Sequence, residues 1–400
     1  MRDSPHHQLH RLPCPLIAAA FLAVPGCGGA LPRTDPHVAA ATSRIVVYVG
    51  TYTDGASRGI YRFELDTASG VVTAPELAGE ARNPSFLAIH PNGRSLYTVN
   101  EVGEFGGAPT GAVSAFAVEP VSGALTLLNQ QPSAGAAPCH LVLDKDGRNL
   151  LVANYTGGTV AVLPVAPDGT LNPPASVRRH EGSGPNKPRQ ASPHAHAILL
   201  DAAGQFAFEA NLGTDRLYAY RFNAAASALE PHQPEEAVLK PGSGPRHLAW
   251  HPSGRYLYCI NELDSTVTVF RYDVLHGILA GIQTVTTLGP GFSGRNTAAE
   301  IAVSRDGRFL YGSNRGDDSL AIFAIDASSG TMRPAGHVST GGRTPRHFAI
   351  DESGRWLLVA NQDSDSITIF HRDPLTGLPS LSGRLTVPKP VCVLFAPATR

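Results

Sequence analysis

Cysteine, charge and long apolar runs are all in short supply along this chain of 400 residues. The five cysteines (Cys14, Cys27, Cys139, Cys259 and Cys392) include no close pair and no Cys-x-x-Cys. That excludes a disulfide framework and gives zinc no support. Cys259 and Cys392 stand among apolar strand residues and read as buried, inert thiols. Charged residues are only 16%, the formal net charge is −1, and Lys and Arg gather into no basic stripe. Nucleic acid is therefore not an expected partner. Beyond the first residues, no apolar segment reaches the length a membrane-spanning helix needs. No cluster of carboxylates suggests a calcium site, so neither metal nor cofactor is expected. A covalent serine mechanism, which calls for a Gly-x-Ser-x-Gly elbow between strand and helix, is not expected either.

The first residues differ from the rest. Arg2 and Arg11 precede the apolar run Leu16–Val24, and Pro25-Gly26-Cys27 follows. A charged start, an apolar centre and small residues near a cut site are the pattern of a secretory signal. Val24-Pro25-Gly26-Cys27 also resembles a lipobox, with Cys27 as the lipidated first mature residue. Pro25 is unusual there, which favours simple export over lipidation. The expected organisation is a signal at 1–27, an Ala/Pro/Gly-rich tether at 28–43, and one domain at 44–397. The expected location is the periplasm or the cell surface, or the cytoplasm if the leader does not function. Any membrane attachment would run through Cys27 alone, and the domain is expected to be a monomer.

What is abundant is glycine (41), proline (33) and short runs rich in Val, Leu, Ile, Phe and Tyr. This is all-β composition with many turns. Six segments repeat one pattern: a polar or Pro-containing start, an apolar run, a turn at Gly followed by Arg or Gln, and a second apolar run ending on Asn. The closing residues are Asn100, Asn154, Asn211, Asn261, Asn314 and Asn361, spaced by subtraction at 54, 57, 50, 53 and 47 residues. A period of this length built of short strands predicts a propeller. Each repeat supplies four strands, a to d, such as 246–250, 256–260, 266–270 and a stretch near 282–288. Two loose ends remain. Residues 44–48 resemble a b strand, and Lys389–Phe395 copies an a strand with nothing after it. The two termini are therefore expected to complete one blade, giving an all-β, seven-bladed ring with no exposed sheet edge.

Antiparallel hairpins put the starts of all a strands beside the ends of all b strands, on one mouth of the channel. That mouth should gather Cys139-His140, His194 and His196, Arg246-His247, Glu300, and Arg346-His347 from the a strands. From the b-strand ends it should gather Glu101, Tyr155, Glu262, Arg315 and Asn361. The repeated Asn residues read mainly as turn caps. A requirement of the fold should recur in every blade, whereas Glu262, Arg315, Arg246 and the His194/His196 pair do not. Charges that occur singly in a shared funnel are the better functional candidates. The Gly-Arg turns (93-94, 147-148, 307-308) belong to the opposite face, where each Arg is expected to be a solvated cation.

Tyr48-Val49-Gly50-Thr51-Tyr52-Thr53, Ser192-Pro193-His194-Ala195-His196, Gly244-Pro245-Arg246-His247-Leu248, Asn261-Glu262, Glu300-Ile301, Ser313-Asn314-Arg315-Gly316 and Pro345-Arg346-His347-Phe348 occur in order. Together they resemble the seven-bladed lactonase family, which includes propeller-type 6-phosphogluconolactonases and a carboxy-cis,cis-muconate cyclase. The resemblance covers nearly all of 45–396. It implies a lactone site in the funnel worked by a His, two Arg and a Glu. By motif these fall on His196 or His194, Arg246, Arg315 and Glu262. His247, Glu300, Arg346, His347 and Asn361 are expected to help hold the substrate, as is His194 if His196 is the catalytic one. Ala195 stands where Pro is common, and Asn211-Leu212-Gly213 where Asp-Leu-Gly is usual.

These residue types suit lactone opening. A Glu or His can take the proton of an attacking water, worth about 10²–10⁴ in rate. A guanidinium can stabilise the oxyanion that forms, or grip an anionic part of the substrate. Glu262 or His196 is the expected base, with Arg246 and Arg315 polarising the carbonyl. Glu262→Gln is expected to lower turnover and leave the fold intact. Two alternatives are a binding propeller without catalysis and a cyclase that runs the same chemistry toward the lactone.

Overall fold

Alternating apolar residues on short strands, each strand stopped by a Gly or Asn turn, can bury one face only by stacking sheet against sheet. The computed structural model, which describes residues 44–397, does this seven times over. The leader at 1–27, with Cys27, and the tether at 28–43 lie outside the described residues.

Seven four-stranded antiparallel sheets form the blades. In blade 5, strands a to d are Pro245–Trp250, Tyr256–Asn261, Thr266–Asp273 and Ile278–Thr286. Blade 1 is made from both termini: Pro390–Phe395 is its inner strand, beside Arg44–Thr51, Gly59–Asp66 and Glu76–Glu80. The register pairs Val47 with Phe395, Tyr48 with Leu394 and Val49 with Val393, so the last strand closes the ring. Fold and closure are those expected from the repeat. Apart from a single 3₁₀ turn at Gln362–Ser364, the described residues form no helix.

The core is a ring of seven apolar clusters rather than one centre, and each cluster lies between two neighbouring blades. Between blades 7 and 1, for example, Trp356, Leu358 and Ile367 pack on Val47, Phe63 and Val393. Every blade thus depends on two neighbours, which is why closure matters.

Arg308 departs from the expectation, as do the matching turn residues Arg255 and Arg355. Arg255, Arg308 and Arg355 are not merely solvated: each donates to backbone carbonyls in the c–d turn of the next blade. The acceptors are Ala327 O at 3.0 Å, Pro374 O at 3.1 Å with Leu375 O at 3.2 Å, and Thr67 O at 2.7 Å. A guanidinium with several fixed donors suits stacked carbonyls, so these three Gly-Arg turns join blades on the face opposite the mouth.

Candidate active site

A shared irregularity builds the mouth. Four inner strands begin at a Pro whose preceding residue has positive φ, namely Ala137 (51°), Gly244 (64°), Thr344 (56°) and Lys389 (40°), and Asn83 (43°) with Pro84 repeats the pair just ahead of the inner strand of blade 2. In six blades the inner strand also slips register near its start, leaving extra residues opposite the b strand. The extra residues are Cys139, His196, Arg246, Ala299 with Glu300, Arg346 and Val391. A bulge of this kind bends the strand and re-aims one side chain. Here it turns His196, Arg246 and Arg346 toward the channel.

Glu262 is the centre of what they meet. One step before it, Asn261 faces back into blade 5 and bonds Thr266 and Thr268 at 2.8 and 3.0 Å. Successive side chains on a strand point to opposite sides, so Glu262 faces the funnel. Its Oε2 lies 3.1 Å from Arg246 Nε, 2.9 Å from Arg315 Nη2 and 4.0 Å from His196 Nε2. Its Oε1 takes Arg189 Nη2 at 2.6 Å. Burial alone would raise the Glu262 pKa, but Arg315, Arg246 and Arg189 together hold it down to about 2. Arg246 is lowered as well, to about 10, by burial and by its neighbours Arg315 and Arg346. Glu262 is thus a permanent anion under neutral conditions.

The histidine nearest that carboxylate is His196. Its Nδ1 lies 3.7 Å from Cys139 Sγ, and the same thiol reaches His196 O at 3.3 Å. Burial, then Arg246, His247 and Arg346, put the His196 pKa well below the usual histidine value, leaving a neutral imidazole at pH 7. Burial raises the Cys139 thiol, so it braces His196 as a neutral group. His194 is a layer away: it stacks on Tyr155 at 4.5 Å between centroids and donates through Nδ1 to Tyr155 O at 2.9 Å. Arg346 lies over the Tyr52 ring, 5.2 Å from its centroid, and Tyr52 donates to Glu101 at 2.9 Å.

Three residues expected to touch substrate lie deeper. His247 Nδ1 donates to Glu300 Oε2 at 3.0 Å, and His347 Nε2 lies 3.3 Å from the same oxygen. Val393 N–H donates to His347 Nδ1 at 3.2 Å, which fixes that tautomer. Burial depresses both histidines, His347 to about 4, and raises the Glu300 carboxyl. With His140 and Phe86 they plug the channel below the mouth: His247 packs on His140 at 5.3 Å and on His196 at 5.2 Å between centroids.

Asn361 is not at the site. It is fully buried and its Nδ2 donates to Thr368 at 2.8 Å within its own blade, as Asn154 and Asn261 donate to Thr159 and Thr266 in theirs. Glu262→Gln also needs revision, because that carboxylate balances three guanidinium groups and its loss would weaken the fold as well as turnover. The chain does contain a Gly-x-Ser-x-Gly run, Gly55-Ala56-Ser57-Arg58-Gly59. Ser57 lies between two strands, is buried, and pairs with Thr51 Oγ1 at 2.5 Å, so it is no nucleophile elbow. Arg189 escaped notice in the sequence because it belongs to no repeated strand. Its signal was length: residues 180–194 form the longest d-to-a connection of the ring.

A closed ring of seven blades, with one mouth that concentrates four arginines around a buried glutamate and a neutral histidine, defines a propeller enzyme with a strongly charged site. The chain belongs to the seven-bladed β-propeller lactonase family, whose model matches residues 46–395, and it acts as a lactonase. A relative from Bacillus subtilis (strain 168), named 6-phosphogluconolactonase, is 37% identical over 88% of this chain and 99% of its own length. A Formosa agariphila relative of the same name is 37% identical over 74% of this chain and 83% of its own. Among solved structures, the periplasmic gluconolactonase PpgL of Pseudomonas aeruginosa has a TM-score of 0.84 at 37% identity, over 89% of this chain and all of the other.

Proposed function

We propose that this protein opens a sugar lactone at the funnel mouth, with water as the nucleophile and His196 as the base. The observation that carries this reading is the 4.0 Å gap between His196 Nε2 and Glu262 Oε2. A water making hydrogen bonds of about 2.8 Å fits between the two. The neutral imidazole takes the proton as water attacks the lactone carbonyl, and Glu262 stabilises the imidazolium that results. Glu262 itself is too weak a base, since three guanidinium groups hold its pKa to about 2. Arg246 and Arg315 face the same point with charge that Glu262 does not fully cancel. They stabilise the tetrahedral oxyanion, a contribution of roughly 3 kcal/mol per donor in comparable sites. Collapse of that intermediate breaks the ring C–O bond, and His196 returns its proton to the leaving oxygen.

The names of the Bacillus and Pseudomonas relatives support a gluconolactone-like ring. The Pseudomonas relative is named periplasmic, and with the leader at 1–27 this supports export of the present chain. No helix among the described residues is long and apolar enough to cross a membrane. The test is a panel of lactones offered to the purified protein, with acid release followed by a pH indicator. Saturable opening of aldonic acid lactones is expected; a rate no faster than spontaneous opening on every lactone would overturn the reading.

A further inference from the structure

The three guanidinium groups on Glu262 are held differently. Arg246 also donates to Ala299 O at 2.8 Å and Arg315 to Ala298 O at 3.1 Å, and their side chains are only 2% and 13% exposed. Arg189 has no such backbone tie. Its other partner is Tyr155 Oη at 3.1 Å, and its side chain is 38% exposed. It alone holds Glu262 Oε1, while Arg246 and Arg315 share Oε2. The loop beneath it is firmly rooted. The next residue, Gln190, is fully buried and donates to Leu212 O at 2.9 Å and Asp215 Oδ1 at 2.8 Å. The side chain can therefore swing over the funnel without the loop moving.

We infer that Arg189 is the specificity-determining residue of this site: it caps Glu262 when the funnel is empty and turns to an anionic substituent of the lactone when substrate enters. This rests on the lactone reading above. Exchanging one carboxylate for another anion keeps the guanidinium paired throughout, so the swing leaves no buried cation uncompensated. A lactone without a negative group offers Arg189 no such exchange and must bind beside the closed cap. A phosphate ester and a carboxylate can each offer two oxygens to a guanidinium fork. The two sources are separated by the choice of substrate.

The experiment compares wild type, Arg189→Ala and Arg189→Lys on gluconolactone, 6-phosphogluconolactone and glucaro-1,4-lactone, with melting temperature as the check on folding. Wild type should prefer at least one anionic lactone. Arg189→Ala should reduce that preference, as the ratio of kcat/KM values, by about tenfold or more, chiefly through KM. Arg189→Lys, which keeps the charge and loses the fork, should restore part of it. Whichever anionic lactone loses most identifies phosphate or carboxylate as the group recognised. An unchanged ratio in Arg189→Ala, or a wild type that favours the neutral lactone, would overturn the assignment. Failure of the wild type on all three lactones would instead overturn the lactone reading itself, and this inference with it.

Discussion

His140, His196, His247 and His347 are all buried, and burial depresses the pKa of each. The groups facing them are Arg246, Arg315, Arg346 and Cys139 at the mouth, with Glu262, Glu300 and Cys392 around and below. A histidine whose folded pKa is lowered takes up protons more readily when unfolded, so its stabilising effect is complete above about 6.5 and fades as pH falls. For His347 the loss continues down to about 4. Each such group can remove up to about 1.4 kcal/mol per pH unit. Glu300, with a raised pKa, acts in the opposite sense and offsets part of this. Glu262 adds a further loss only from about 4.5 down to about 2. Urea unfolding should therefore show stability falling steeply between pH 6.5 and 5, before ordinary carboxylates titrate. Constant stability across that range would contradict neutral histidines in the channel. His196 as base makes a parallel forecast for kinetics: the acid limb of kcat/KM should lie below pH 6.5.

At the scale of strands and turns, one contact recurs that sequence inspection did not disclose. In blades 2, 5 and 6 the third residue of the b strand is a tyrosine, and Tyr48, fifth in the longer b strand of blade 1, plays the same part. Each hydroxyl donates to a glycine carbonyl in the c–d turn of the next blade: Tyr48 to Gly123, Tyr97 to Gly169, Tyr258 to Gly330 and Tyr311 to Gly377, at 2.6–3.0 Å. Gly330 is required twice over. Its φ is 72°, and a Cβ there would come within 2.4 Å of the Tyr256 ring. Tyr258→Phe should cost about 1–2 kcal/mol in urea unfolding, through a buried carbonyl left unpaired, with catalysis unchanged because the contact lies on the far face. A variant as stable as wild type would show the bond to be idle. The tyrosine was legible in the repeat, but its partner lies 72 residues on, in another blade. The same limit explains the turn arginines. Asn361 was misplaced for a different reason. Its position at a b-strand end was right, but strand parity turns that residue into its own blade and gives the mouth to the one after it.

For the molecule as a whole, the seven-fold period and the two loose ends were enough to predict a closed ring, because closure depends on strand order rather than on side-chain direction. Ending the chain at Lys389 removes the inner strand of blade 1 with buried Val391, Cys392 and Val393. Those side chains alone contribute roughly 5 kcal/mol or more, a large share of a typical margin of about 5–15 kcal/mol. The shortened chain should melt far below wild type, and an unchanged melting temperature would refute closure. The same ring brings His196 from blade 4, Arg246 and Glu262 from blade 5, Arg315 from blade 6 and Arg346 from blade 7 to one mouth. Their placing was legible from repeat geometry, whereas Arg189 came from a loop that no repeat predicts. Whether the mouth opens lactones through a histidine is decided most directly by steady-state hydrolysis of a gluconolactone by wild type and His196→Asn, both confirmed as folded. The variant should lose about 10²–10⁴ in kcat; turnover equal to wild type would contradict the assignment.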